Sequence, residues 1–315
     1  MSLRLKRGGH VMAFDAVIVA DSVSLIGDRL TTLEVTLPRI VLAEFNTHRV
    51  FSRNSASSRA IPVQKQLERI MNDPFVPVYW GANQSGMQAE AELTGDAQQV
   101  ALNEWLAARD AAVEHVKRLL ALGLHKQITN RILEPWMWQT ILVTFTESEN
   151  FFALRANPQA QPEIRIAAEL MRKAMDESSP VLLHEGEAHL PLVGYTPPRE
   201  RFASEEDWQD AQEMAEFELE WAAANKQDAI RVSVGRCARV SYLTHDGQRD
   251  FSKDIELYER LVGSGHMSPT EHVAFPNFTK DGESLWSGNF RGWKQFRKTL
   301  PNESNYGKVL QSLAS

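Results

Sequence analysis

The sequence predicts an α+β fold in which a mainly antiparallel sheet packs against long helices. Three observations carry that expectation. Phe14 to Leu37 is rich in Val, Ile, Leu and Thr and breaks at Gly27-Asp28, as two strands joined by a turn do. Ala229 to Tyr242 and His272 to Phe278 alternate in the manner of further strands, so the sheet is expected from Thr31 to Leu37 together with these two segments. Long stretches with apolar residues at helical spacing lie between them.

At 315 residues the chain has the length of about two domains. It carries 34 Lys+Arg against 41 Asp+Glu, a formal charge of −7, with 43% hydrophobic and 24% charged residues. That profile is soluble and globular. It argues against a dedicated binder of nucleic acid or of anionic membranes and leaves room for local basic pockets that hold phosphates. Cys237 stands alone, which excludes an intramolecular disulfide and any multi-cysteine zinc site and fits a reducing, cytoplasmic setting. Pro135 to Thr146 is the longest uncharged apolar-rich stretch and is too short to cross a bilayer, so no membrane partner is expected. Met1 to Met12 is basic and glycine-containing without the apolar run of a signal peptide; it is expected as a disordered extension or an artificial addition.

Taken in order, Pro38 ends the second strand, and Arg39 to Asn46 reads as a short apolar helical turn leading into a polar loop, Thr47 to Arg59. Helices are expected at Val63 to Asn72, at Asp96 to Leu122 and across Thr129 to Phe152, where Pro135 is a first-turn proline or a kink. Another covers Pro162 to Glu177, with Ile164, Ala167, Ala168, Met171 and Met175 on one face. Pro180 to Pro198, punctuated by prolines and glycines, reads as a long surface connection in which His184, Glu185 and His189 are solvated. Ser204 caps the next helix, with Glu205, Glu206 and Asp207 in its first turn and an expected buried stripe of Trp208, Ala211, Met214, Phe217 and Trp221. Asp254 to Leu261 is a further short helix.

Three clusters could carry chemistry. The loop Thr47 to Arg59 packs three arginines and four serines into thirteen positions. Guanidinium forks match phosphate oxygens and hydroxyls fill the remaining acceptor positions, so it suits a phosphorylated ligand; a solvated polar loop is the alternative. Arg131, Asn150 and Arg155 lie in or beside an apolar, tryptophan-bearing segment, where they serve either internal salt bridges or a ligand. Gly263 to His272 is a turn between a helix and a strand; His266 and His272 lack a third partner at metal-ligand spacing, so no metal is expected. Cys237 reads as a small buried hydrophobe at the start of a strand.

Together these clusters resemble the flavin-dependent thymidylate synthases. That family's Arg-His-Arg, seven residues, Ser signature is matched by Thr47-His48-Arg49 and Ser57, with Asn54 and Arg59 also in place and Pro38 ten residues before His48. Arg131-Ile132-Leu133-Glu134-Pro135 is similar to the family's Arg-x-x-Leu-Pro helix start. Asn150, Leu154-Arg155 and Ala160-Gln161-Pro162-Glu163-Ile164-Arg165 resemble its Asn-x-x-x-Leu-Arg and Ala-Gln-x-Glu-Ile stretch. Ala238-Arg239-Val240-Ser241 and Gly265-His266-Met267-Ser268-Pro269-Thr270-Glu271-His272 resemble motifs that stand near the N-terminus in ordinary members, so the order looks circularly permuted. Under that resemblance, 13–187 is the first part of the catalytic domain with a helical insertion at 64–128, 188–227 is an inserted connection and helix, and 228–315 is the remainder plus a tail.

The resemblance implies reductive methylation of dUMP at C5, with methylene-tetrahydrofolate giving the carbon and FAD, reduced by NADPH, giving the hydride, in a homotetramer whose sites draw on several subunits. It places Ser57 and Arg155 at the chemistry, Arg155 polarising the pyrimidine. Glu44, Arg49, Ser57, Ser58, Arg59, Arg131 and Arg155 would contact the nucleotide, and His48, Arg49, Asn150, Ser241, His266, Ser268 and Glu271 would line the flavin. Three positions depart from the pattern: Thr47 for its first arginine, Glu44 for a glutamine and Ser55 for a glutamate. Glu303, in the tail from Gly292 to Ser304, is a candidate to replace the missing carboxylate. Hydroxymethylation of dUMP or dCMP, which Glu44 allows, and a catalytically silent nucleotide-binding relative are the competing readings.

Overall fold

The computed structural model describes residues 13–242, 249–301, 303–305 and 307, apart from the side chains of Ser241 and Tyr242. The expected roles of Met1 to Met12 and of the Ser241 hydroxyl therefore fall outside the described residues.

Strands β1 (Asp15–Ser24) and β2 (Arg29–Pro38) form the expected antiparallel hairpin, with Gly27 at φ +92° in its turn. A helical turn at 39–41 and α1 (Leu42–Phe45) follow, as expected. Inside the polar loop lies β3 (Ser52–Ser55), a strand the composition hid. Helices α2 (Val63–Asn72), α3 (Asp96–Ala121) and α4 (Lys126–Ile132) come next, then β4 (Trp138–Phe145), α5 (Glu149–Arg155) and α6 (Pro162–Asp176). After β5 (Val181–Leu183) come α7 (Glu205–Ala224), α8 (Lys226–Tyr242) and α9 (Phe251–Gly263). The chain closes with the short strands β6 (Ala274–Pro276), β7 (Trp286–Ser287), β8 (Phe290–Arg291) and β9 (Trp293–Gln295).

The main sheet has the order β3-β4-β2-β1-β5, antiparallel except for β1 with β5. The α+β class holds, but two of its expected strands do not. The single helix expected over Thr129 to Phe152 is instead α4, the second strand of the sheet and α5. Strand β4 is buried on both faces, so its sequence shows an apolar run with no alternation to mark it. Ala229 to Tyr242 is helix α8, in which Ala229, Val232, Ser233, Arg236, Cys237 and Val240 are buried at helical spacing. Of His272 to Phe278 only Ala274–Pro276 is strand, paired with β9 in a separate small sheet.

One face of the sheet sets Leu33, Val35, Leu37, Ile141, Val143 and Phe145 against Ile164, Ala167, Ala168 and Met171 of α6, the helix face read from the sequence. The opposite face carries Val19 and Leu142 against Leu192, Cys237 and Val240. Helices α2 and α3 form a satellite core in which Val63, Leu67, Ile70, Val113 and Val116 pack against Leu133, Trp136 and Met137, just before β4.

Helix α7 has its Ser204 capping box, yet its buried residues are Ala215, Glu218 and Ala222, while Met214 and Phe217 are exposed. The helix turns toward an ion pair rather than an apolar stripe: Arg236 meets Glu218 at 2.7 Å and Asp254 at 3.0 Å, and Arg239 meets Asp254 at 2.6 Å. The connection Pro180 to Pro198 is also more than a surface loop. Leu192 is buried beneath α8, and His189 is buried against Ser22 and Thr32 of the sheet and the Trp293 ring, so His189 is no solvated residue.

Candidate functional site

Strand β3 lies at the edge of the sheet and has a polar cluster at each end. At its start, α1 and α5 bring His48 and Arg155 together: Arg155 Nε donates to His48 Nε2 at 3.0 Å, and Arg155 Nη2 lies 3.5 Å from Thr47 Oγ1. His48 is thereby an acceptor at Nε2. Its pKa lies below the ordinary value because burial disfavours the charged ring and the Arg155 and Arg53 cations face it. Phe51 and Phe151 wall the ring, the latter edge-on at 4.9 Å. Arg53 Nη1 donates to the His48 carbonyl at 2.9 Å and braces the loop from behind. Arg49 and Asn150 are exposed at the same end, and Arg49 has no hydrogen-bond or ion-pair partner among the described residues.

At the far end of β3, Glu134 collects the polar groups. Ser58 Oγ donates to it at 3.1 Å, Arg39 meets it at 3.2 Å and Arg131 at 3.6 Å. Asn130 Nδ2 holds the carbonyls of Ser58 and Ile61 at 2.7 and 2.9 Å, shaping the turn that presents Ser57 and Arg59. Arg59 is exposed without a partner among the described residues, and Arg131 is half-exposed. Ser52 and Ser57 are separated by about 17 Å of extended chain, so the His48 end and the Ser57 end are two distinct patches of one protomer.

The Gly265 to His272 segment, more than 200 residues away in sequence, closes the α8 side of β3. Ser268 Oγ donates to Asn54 Oδ1, and Asn54 Nδ2 reaches the Cys237 carbonyl at 3.4 Å. Glu271 pairs with Arg297, which also meets Glu303 at 3.2 Å, while Lys298 meets Glu303 at 2.5 Å. The tail glutamate thus reaches this corner through Arg297. His266 is exposed and bonded to Ser264 at 3.0 Å, whereas His272 is wholly buried. The two point to different environments, and among the described residues no group of three His, Cys, Asp or Glu could hold a metal.

Cys237 lies inside α8, where burial pushes its thiol far above the usual range and leaves it no role as a nucleophile. Sequence reasoning missed Arg39, Glu134 and Arg297. Glu134 was detectable as the i,i+3 partner of Arg131; nothing local marked the other two.

Residues 26–181, about half of the chain, match the family described as thymidylate synthase complementing protein. These residues belong to that family. The match runs from the β1–β2 turn into β5 and contains both ends of β3, Arg131, Asn150 and Arg155; the Gly265 to His272 segment lies outside it. Solved structures similar to part of the chain include two of a UMP/dUMP methylase, PolB, from Streptomyces cacaoi. The one bound with 5-Br dUMP is 17% identical, and the match covers 54% of this chain and 91% of that chain at a TM-score of 0.44. The one bound with 5-Br UMP is 21% identical, covering 54% and 90%, also at 0.44. No curated protein matches the chain in sequence. Among the described residues no helix is long and apolar enough to cross a membrane.

Proposed function

We propose that the protein is an enzyme that modifies a pyrimidine deoxynucleotide, dUMP in the leading reading, by flavin-dependent reductive methylation at C5. The observation that carries this is a set of arginines left without carboxylates. Arg49 and Arg59 have no partner among the described residues, and Arg155 has only the neutral His48 ring and Thr47 hydroxyl. In a chain with a surplus of acids, cations held this way fit an anionic ligand.

Ser57, Ser58, Arg59 and Arg131 would take the nucleotide at one end of β3. At the other, Arg155 would sit against the pyrimidine, its position fixed by His48, and would stabilise negative charge that develops on the ring. Because the two ends are separate patches, one complete site would combine copies of the chain, in keeping with the tetramer that the family resemblance implies.

The residues also fit a flavin dinucleotide. The exposed Arg49, without a partner among the described residues, suits its phosphates; Asn150, His48, His266 and Ser268 would line it, with Glu271 held by Arg297. When bound, FAD reduced by NADPH supplies the hydride, and methylene-tetrahydrofolate the carbon. Arg155 and the neutral His48 orient the base, and the Asn54–Ser268 contact holds the α8 side of β3 closed.

One observation favours a second reading, folate-dependent hydroxymethylation of dUMP or dCMP. Glu44 Oε2 is buried without a hydrogen-bond partner among the described residues, and a carboxylate there accepts from an amino group such as the one cytosine carries, where a glutamine could also donate. A visible spectrum of the protein with added FAD, followed by titration of dUMP and dCMP, tests both. A bound-flavin spectrum perturbed by dUMP supports the methylation reading; a response to dCMP, with a hydroxymethylated product by mass, supports the second. Neither flavin nor nucleotide binding would leave a silent relative.

A further inference from the structure

Where the chain leaves β3 for the Ser57 end, side chains take over from the sheet. Just past the strand, the Ala56 N–H still donates to the Thr140 carbonyl of β4 at 3.2 Å. The Ala56 carbonyl is met by a side chain instead: Gln139 of β4 donates to it from Nε2 at 2.8 Å, and the same nitrogen reaches the Thr140 carbonyl at 3.3 Å. At its other end Gln139 Oε1 accepts from Arg39 Nη1 at 2.8 Å, and Arg39 Nη2 continues to Glu134, the carboxylate that Ser58 Oγ also meets. Gln139 is 2% exposed.

Beyond Ala56 the chain turns, with the Ala60 N–H donating to the Ser57 carbonyl at 2.9 Å. Helix α4 holds the next carbonyls, Asn130 those of Ser58 and Ile61 and Lys126 that of Ala60 at 3.3 Å. The turn is thus gripped from inside by its carbonyls, while the Ser57 hydroxyl and the Arg59 guanidinium have no partner among the described residues.

We propose that Gln139 is a positioning residue for the nucleotide end of β3: by holding the Ala56 carbonyl and orienting Arg39, it sets where the chain leaves the sheet and hence where Ser57 and Arg59 stand. The inference rests on the reading of that turn as the nucleotide site.

The chemistry of the contacts calls for an amide. The Ala56 and Thr140 carbonyls only accept and the Arg39 guanidinium only donates, so a donor is needed at one end and an acceptor at the other. The same partners fix which way the amide faces. Turned over, its oxygen would meet two carbonyls and its nitrogen a cationic N–H, leaving buried groups unpaired at both ends. A carboxylate in its place keeps the Arg39 contact and sets an oxygen against the Ala56 carbonyl, so it removes the bond next to Ser57 and spares the other. A methionine fills the same space and makes neither bond. Gln139 meets neither Ser57 nor Arg59 itself, and acts on them through the backbone one residue away.

Titration of dUMP into wild type and Gln139→Glu tests this, with Tm and the backbone 15N–1H signals recorded on the same samples. The variant is expected to bind dUMP about tenfold more weakly, with the amide signals of Ser57 to Arg59 moved and those of Asn150 to Arg155, at the other end of β3, in place. Gln139→Met, which buries no charge, is expected to do the same and serves as the reading if Gln139→Glu does not fold. A merely structural role would lower Tm and leave the dUMP affinity of the folded protein alone. Equal affinity in a folded variant, or unmoved Ser57 to Arg59 signals, would overturn the inference while the nucleotide site stands. Absence of dUMP binding by wild type would overturn the site and the role of Gln139 with it.

Discussion

Arg236 and Arg155 have the same side chain and opposite surroundings. Arg236 is 3% exposed and fully committed, bonded to Glu218, Asp254 and the Leu192 carbonyl and lying over the Phe251 ring. Arg155 is half-buried and touches an imidazole nitrogen and a hydroxyl, with no carboxylate among its partners. In the first case the charge is spent inside the fold, locking α7, α8 and α9 together. In the second the protein has oriented a guanidinium and left its charge for something else. Burial alone would have pointed to Arg236 as the residue of interest; it is the missing counter-charge that marks Arg155.

The sharpest way to break this contrast is at Arg236. Arg236→Ala leaves Glu218 and Asp254 buried with half their compensation, and the expected loss is about 3–5 kcal/mol, read as a large fall in Tm. A fall no larger than that of a surface variant would contradict the reading of this cluster as structural.

Acid provides the next largest effect, through the neutral histidines of the sheet. The folded pKa values of His189 and His272 lie below the unfolded value, so the unfolded chain binds more protons and stability falls as pH drops below about 6.5. Each histidine is expected to remove roughly 2 kcal/mol between pH 6.5 and pH 5, before most carboxylates titrate. Denaturant midpoints across that window check it, and a flat profile would show that the two rings are not held neutral.

A smaller loss is expected from Gly235→Ala. A Cβ at Gly235 would run into the Asp254 carbonyl, so α8 and α9 must move apart, at a cost of about 1–3 kcal/mol. Equal stability would mean the helices do not approach as closely as the ion cluster requires. Least of all in stability, Arg59→Ala is expected to change unfolding free energy by no more than about 0.5 kcal/mol, because nothing in the described fold depends on its charge. Its nucleotide affinity should fall about tenfold or more, as expected for a lost charge-assisted bond.

What the sequence revealed follows the same divide between regular and irregular surroundings. Helices α2, α3 and α6 were legible because each buries one face and exposes the other, which writes a period into the residues, and the hairpin because Gly27-Asp28 breaks its β-branched runs. β4 was not, because it is buried on both faces and an apolar run carries no period; α8 was not, because Ile230, Val232 and Val234 alternate with Arg231, Ser233 and Gly235 as a strand would. His189 was hidden by its proline- and glycine-rich context, although Thr32 and Ser22 hold it inside the sheet face. In the site, the density of serine and arginine between Thr47 and Arg59 was visible at once. The contact of Ser268 with Asn54 joins segments too distant for any local signal, and only the family resemblance brought them into one account.

The most direct test of that account is calorimetric titration of dUMP into the FAD-supplemented protein, wild type beside Arg155→Ala, with Tm measured on the same samples. The account predicts binding by wild type and a loss of about tenfold or more in the variant, with Tm unchanged. Equal affinity in the two proteins, or a variant that loses affinity only because it unfolds, would contradict it.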